Sequence, residues 1–272
     1  MTRRIDPTPG QVAERAHLLD ASGYTPPIHR FAPSPELAPL VRRYWMPVWS
    51  LPDGHTSVQR VLQYPVCLIV VSHEYALLVG PTSGLSSQEL TGTGWALGTM
   101  LQPAAGVALV GGSVDALTDK AVPLPDEALT AAIRAAIGDD PDDPDRQQAG
   151  VDAVERALDA HLPVDEEGLL VNAIVEYVEG DTEVHRVGQI CEKFAITERT
   201  LQRLTARRIG LSPKWLIQRR RLHEAAERLR ESDRDLARIA ADLGYTDQAH
   251  FGRDFRTVTG LTPGEFAAEP TR

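Results

Sequence analysis

The sequence predicts an α+β chain of two parts, a β-rich N-terminal barrel or sandwich followed by an all-α C-terminal region of two helix-turn-helix units. Three observations carry this. Between about residues 45 and 124 short apolar runs are cut repeatedly by glycine and proline, the pattern of many short strands. Beyond residue 169 the apolar positions recur at helical spacing. The C-terminal pattern also occurs twice, at an offset of 49 to 50 residues.

Taken in order, residues 1–30 are rich in proline and polar side chains and predict a loosely packed arm, with one helical-looking piece near 11–20. Pro33, Pro35 and Leu37 open a predicted short helix that carries Leu40, Val41 and Tyr44 towards Trp45. Strands are predicted at 58–62, 66–71, 75–79, 85–90, 94–101 and 107–110, with His73-Glu74 in a turn between two of them. A helix at 126–137 follows, with Leu129, Ile133 and Ile137 on one face. The acidic, proline-broken run 138–145 reads as a linker. Val151, Val154, Leu158 and Leu162 mark another amphipathic helix, and 169–179 opens the C-terminal module. These spans give a partition into 1–137, a 138–168 linker with its helix, and 169–272.

In the second repeat Leu236, Ile239, Ala240 and Leu243 form an apolar stripe at i, i+3, i+4 and i+7. Gly244 ends that helix, because glycine accepts the left-handed conformation a helix end needs. Asp247 is placed to cap the next helix. There Phe251, Phe255 and Val258 share a face, and Ala249, His250, Arg253 and Arg256 lie towards the other. The first repeat has Val187, Ile190, Cys191 and Phe194, then Thr197 as cap, Leu201, and Arg203 opposite Arg253. Its Gly210-Leu211-Ser212-Pro213 matches Gly260-Leu261-Thr262-Pro263. One extra turn residue in the second copy accounts for the change of offset. Between the copies, 213–231 contains no glycine and no proline after Pro213. About eighteen residues at 1.5 Å each give a rod of roughly 27 Å, a length that lets two recognition helices enter successive major grooves about 34 Å apart.

Residues 169–268 resemble the DNA-binding domain of the AraC/XylS family of bacterial transcription regulators. The resemblance rests on Gly244-Tyr245, Asp247-Gln248, His250-Phe251-Gly252-Arg253-Asp254-Phe255 and Gly260-Leu261-Thr262-Pro263, and on Arg221-Leu222, Ala225 and Leu229 in the linker helix. Gly252 departs from the Ser of many relatives, which removes a possible phosphate contact. The resemblance implies a homeodomain-like double helix-turn-helix fold, and it likens the N-terminal half to the family's cupin-like sensor domains. It also implies an operator or promoter as partner, a small-molecule effector, a homodimer, and RNA polymerase if the protein activates. The helices around 126–162 either serve dimerisation and contact with the DNA-binding half or pack on the barrel; both readings stay open.

Composition bounds the rest. The formal net charge is −10, which argues against nucleic acid until its distribution is read. From Asp181 onwards there are 17 Lys/Arg against 14 Asp/Glu, a net of +3, while the first 180 residues hold 11 against 24, a net of −13. DNA affinity depends on the local basic surface. No run is long enough to span a membrane. The first ten residues have arginines but no apolar core behind them, unlike a signal peptide. Cytoplasm is the expected compartment. Cys67 and Cys191 are too few for a disulfide framework or a cysteine-rich zinc site and are expected as small buried side chains.

For base edges the candidates are Arg199, Gln202 and Arg203 on the first recognition helix, and Gln248, Ala249, His250 and Arg253 on the second. Arginine can hold guanine O6 and N7 with two hydrogen bonds, and glutamine can do the same for adenine. Arg207, Arg208, Ser212, Lys214 and Arg256 are the candidates for phosphates, which position without reading sequence. Arg219-Arg220-Arg221 cannot share one helix face, so at least one is expected to anchor the linker helix internally. The four histidines of the N-terminal half, His17, His29, His55 and His73, are scattered singly and form no metal-ligand spacing. No nucleophile–base set or phosphate loop stands out, so neither metal, cofactor nor enzyme activity is expected. Trp45, Trp49, Tyr64, Tyr75 and Trp95 are expected in the core. A sequence-specific, effector-controlled transcription regulator is the expectation. Its alternatives are a DNA-binding protein whose N-terminal half binds a protein partner, and a cupin-type enzyme fused to a DNA-binding module.

Overall fold

The computed structural model describes residues 17–18, 24–62, 64–230 and 235–268. Nine strands come first: β1 (His17–Leu18), β2 (Ile28–Phe31), β3 (Val41–Ser50), β4 (Thr56–Val61), β5 (Leu68–Ser72), β6 (Ala76–Val79), β7 (Ser86–Thr91), β8 (Thr93–Leu101) and, after α1 (Pro103–Val110), β9 (Ala121–Pro123). Helices follow: α2 (Glu127–Ile137), α3 (Pro144–Leu158), α4 (Glu166–Gly180), α5 (Val187–Phe194), α6 (Glu198–Ile209), α7 (Pro213–Arg230), α8 (Leu236–Asp242), α9 (Gln248–Thr259) and α10 (Pro263–Ala268).

A six-stranded antiparallel sheet in the order β2-β3-β8-β5-β6-β9 faces a three-stranded sheet β1-β4-β7. Strand side chains alternate between faces, and β3 shows what each face is for. Tyr44, Met46 and Val48 point to one side, into a core shared with Ile133 and Ile137 of α2 and Val151, Val154 and Leu158 of α3. Arg43, Trp45, Pro47 and Trp49 point to the other, where they line a cavity of about 500 Å³ between the sheets. The sheets meet at Trp49, Leu90 and Ala96.

Several expectations are corrected. Val41 to Ser50 is one long strand rather than the end of a helix, because its β-branched and aromatic side chains alternate between core and cavity. Residues 107–110 lie in α1, started by Pro103 at its first turn; a four-residue apolar run does not distinguish strand from helix. Ile28–Phe31 pairs with β3, so the predicted arm is partly sheet. Of the predicted helix near 11–20 only 17–18 is described, as strand, and the rest lies outside the described residues. Pro144 starts α3 with Asp143 as its cap rather than interrupting a linker. The stretch 138–143 is thus the turn between two helices packed in one core. Trp45, Tyr64 and Tyr75 are half-buried and line the cavity, whereas Trp49 and Trp95 are buried core residues.

The C-terminal helices form two further cores. One joins α4, α5, α6 and the start of α7 around Val171, Ile174, Ile190, Leu201 and Ile217. The other joins the end of α7 to α8, α9 and α10 around Leu222, Leu229, Ile239, Phe251 and Phe255, and Leu62 of the N-terminal half is inserted into it.

Candidate nucleic-acid interface

Both recognition helices are twelve residues long and are built by the same local chemistry. Thr197 Oγ1 accepts from the Thr200 N–H at 3.1 Å, and Asp247 Oδ1 accepts from the His250 N–H at 2.7 Å. Each side chain satisfies a donor that a helix start leaves open. Both helices end at a left-handed glycine, Gly210 at φ +77° and Gly260 at φ +75°. Pro213 and Pro263 then begin α7 and α10. Leu201, Leu204 and Ile209 bury one face of α6; Phe251, Phe255 and Val258 bury the same face of α9. What remains faces outward: Arg199, Gln202 and Arg203 on α6, with Ala206 half-buried beside them, and Gln248, Ala249 and Arg253 on α9, with His250 half-buried.

The outward groups are not equally free. Glu167, at the start of α4, lies 3.9 Å from Arg203, 3.2 Å from Arg207 and 3.4 Å from Arg208. Gln202 Nε2 donates to Glu198 Oε1 at 3.1 Å. On α9, His250 Nε2 lies 3.8 Å from Asp254, while Arg253 makes no ion pair among the described residues. Arg207, Arg256, Lys214 and Ser212 are exposed; the Ser212 hydroxyl caps α7 by accepting from the Trp215 N–H at 3.2 Å. Arg208 is the correction. It is 4% exposed and ion-paired to Asp165, so it ties α6 to α4 instead of reaching a phosphate. Its hydrogen bond holds the Asp165 carboxyl below the usual carboxylate range.

All three consecutive arginines are internal anchors. Arg219 is 2% exposed and lies over Trp215 at 5.6 Å, and burial pulls its pKa down to about 9. Arg220 donates to Val184 O at 3.0 Å and Glu224 at 3.1 Å, and Arg221 donates to His185 O at 3.1 Å. Cys67 is buried, which pushes its thiol up to about 12, and Cys191 is half-buried. Among the described residues no three His, Cys, Asp or Glu side chains gather as a metal set, and no helix is long and apolar enough to cross a membrane.

The sequence did not announce how the halves join. Thr118 Oγ1 donates to Gly210 O at 2.8 Å and Trp215 Nε1 to Ser83 O at 3.2 Å. Arg42 holds Glu179 of α4 through two hydrogen bonds of 3.1 and 2.5 Å. Tyr64 stacks on His223 of α7 with ring centres 4.7 Å apart, under the Arg42 guanidinium at 4.5 Å. Tyr64 is also a wall common to the sheet cavity and to a second cavity of about 450 Å³ between the halves. Only the aromatic character of Tyr64 was visible beforehand.

Two capped helix pairs on one rod, each turning a polar, arginine-bearing helix outward, define a double helix-turn-helix unit. Residues 190–269 match the family described as "Helix-turn-helix domain", and residues 29–123 match one described as a domain of unknown function. The chain is 38% identical over 76 residues to the HTH-type transcriptional activator RhaS of Escherichia fergusonii, covering 28% of this chain and 27% of that one. It is 31% identical over 85 residues to an AraC-like transcription regulator of Streptomyces lividans, covering 31% and 28%. The chain therefore spans about a quarter of the length of the curated relatives it matches. Among solved structures, ToxT of Vibrio cholerae is 12% identical over 82% of this chain and 97% of that one, with a TM-score of 0.42. The similarity to AraC-like regulators lies in the C-terminal helices.

Proposed function

We propose that this protein is a sequence-specific DNA-binding transcription regulator whose N-terminal half is controlled by a small molecule held between its sheets. The observation that carries the reading is the equivalence of Arg203 and Arg253, both outward on helices with the same cap, length and end. In this reading Arg199, Gln202, Arg203, Gln248, Ala249, His250 and Arg253 read bases, and Arg207, Ser212, Lys214 and Arg256 grip phosphates. Arg208 leaves that set. The 18-residue α7 sets the separation of the two helices. One chain then reads two half-sites, and a cytoplasmic location follows from the DNA partner. We place the division of the chain near residue 164, because α2, α3, Leu162 and Val164 pack on the N-terminal core. The cavity favours a small-molecule effector over a protein partner.

Selection from random DNA by the full chain tests the reading. A bipartite consensus is expected, with affinity falling steeply as salt rises because phosphate contacts release counterions. Recovery of no consensus, with binding indifferent to salt, refutes it.

A further inference from the structure

The cavity between the sheets carries a charge opposite to the half that encloses it. Among the described residues its lining includes Arg30, Arg43 and Lys120 against a single carboxylate, Asp119, although residues 1–180 carry 11 Lys/Arg and 24 Asp/Glu. The Asp119 carboxylate is occupied by the Ser83 N–H at 2.7 Å and the Ser83 hydroxyl at 2.8 Å. Arg43 is half-buried, with a guanidinium nitrogen 3.8 Å from Met100 Sδ and its centre 5.9 Å from the Tyr64 ring. A cation set against low-dielectric walls attracts an anion more strongly than one in water.

The rest of the lining is mostly apolar, with Gln59, Thr82, Ser86, Ser87 and Gln88 as its uncharged polar side chains beside the aromatic rings. Trp45 lies against the backbone of Gly98 so closely that a Cβ there would be 2.1 Å from the indole. The indole and the side chains of Val70, Leu77 and Met100 make a shelf for a ring or a branched hydrocarbon. A sugar-like ligand needs many convergent polar groups. Gln59, the buried amide of the lining, spends its Nε2 on Tyr24 O at 3.2 Å and Ser57 Oγ at 2.6 Å, and only its Oε1 is left for a ligand donor.

We propose that the cavity takes a small organic anion, with an apolar ring-sized body on the Trp45 shelf and an acidic head at Arg43. This rests on the reading of the cavity as the effector site and names its ligand class. At about 500 Å³ the cavity falls within the roughly 300–1,000 Å³ of small-molecule sites.

The test uses the full chain and two fluorescent probes of the same ring system, 8-anilinonaphthalene-1-sulfonate and the uncharged N-phenyl-1-naphthylamine. Each variant's melting curve is recorded beside the titration, so that dye bound to loosened protein is recognised. The expected result is one saturable site that prefers the anion by about tenfold or more. Arg43→Met is expected to erase that preference while leaving the neutral probe unchanged, and Arg43→Lys to retain it. Leu77→Trp, which fills the shelf, is expected to expel both probes. Equal affinity of wild type for the two probes, or an Arg43→Met variant that still prefers the anion, overturns the ligand class. If Arg43→Met does not fold, the wild-type preference and Arg43→Lys decide the matter. Retention of both probes by folded Leu77→Trp overturns instead the reading of the cavity as a binding site.

Discussion

In the second helix-turn-helix unit the recognition helix rests on aromatic rings: Phe255 sits 5.6 Å from Phe251 and 5.3 Å from Phe266, centre to centre. In the first unit the position equivalent to Phe255 is Thr205, and the position equivalent to Val258 is Arg208; both are buried. The second unit is thus held by an aromatic core, which also takes in Leu62 of the N-terminal half. The first has an aliphatic core around Ile174, Ile190, Leu201 and Ile217, and adds an ion pair from buried Arg208 to Asp165 and contacts of Gly210 and Trp215 with the N-terminal half. A repeated backbone plan does not imply a repeated energetic support. Both units touch the N-terminal half, the first through hydrogen bonds and the second through Leu62.

The largest way to break this comparison is Phe255→Ala. Removing a buried phenyl group costs about 3–5 kcal/mol, and denaturant unfolding should show it as loss of the second unit. Thr205→Ala at the equivalent place should cost much less. Equal losses would mean that the two cores are alike after all.

Next comes the DNA face. Arg203→Ala and Arg253→Ala should each cost about 1–3 kcal/mol at the specific site and relax preference at one local base position. Competition binding against single-base changes of the operator measures both. Arg256→Ala should weaken all sequences alike. Glu167→Gln sharpens the asymmetry: it frees Arg203 and Arg207 and should tighten binding by about 0.5 kcal/mol through the first unit alone. If the gain survives in an Arg203→Ala, Arg207→Ala background, Glu167 acts by another route.

The turns differ by about 1 kcal/mol. The left-handed residue is Ala195 at φ +52° in the first unit and Gly244 at φ +71° in the second. Ala195→Gly relieves a conformation that L side chains resist, and should stabilise by about 0.5–1 kcal/mol. Gly244→Ala should destabilise by about 1–2 kcal/mol, since its Cβ would also meet His185 at 3.1 Å. Thermal melts decide both.

The smallest effect is one of pH. The Asp165 carboxyl is lowered from its ordinary value of 3.8 by Arg208. Its stabilisation is complete above about pH 4 and is lost as pH falls through the lower folded-state value. Because Asp165 is largely exposed, the contribution should stay below about 1 kcal/mol. Wild type and Asp165→Asn should differ at neutral pH and converge in acid; a constant gap would assign the effect to helix capping instead.

These differences mark how far the sequence was legible. The C-terminal units were readable because caps, left-handed glycines and proline starts act within a few residues. Thr197, Asp247, Gly210 and Gly260 do what their spacing implies. Arg207 and Arg208 are neighbours of identical chemistry, but Arg208 continues the buried face of Leu201, Leu204 and Thr205 at helical spacing and meets Asp165 there. In the N-terminal half the apolar runs were visible, but Val41–Ser50 and 107–110 took their type from tertiary packing. The cavity was hidden for the same reason. Alternation along β3 was present in the sequence, yet nothing local says that its second face meets another sheet across open space.

Leu62 gives the two halves a measurable equilibrium. It belongs to the N-terminal half, is 1% exposed and lies in the core of the second unit. Parting the halves returns it to water, at about 1.5–3 kcal/mol, so this one side chain biases the closed arrangement by roughly ten- to hundredfold. A bias of that size keeps separated molecules a small minority. A ligand that binds one arrangement roughly a hundred- to ten-thousandfold more tightly reverses the proportions.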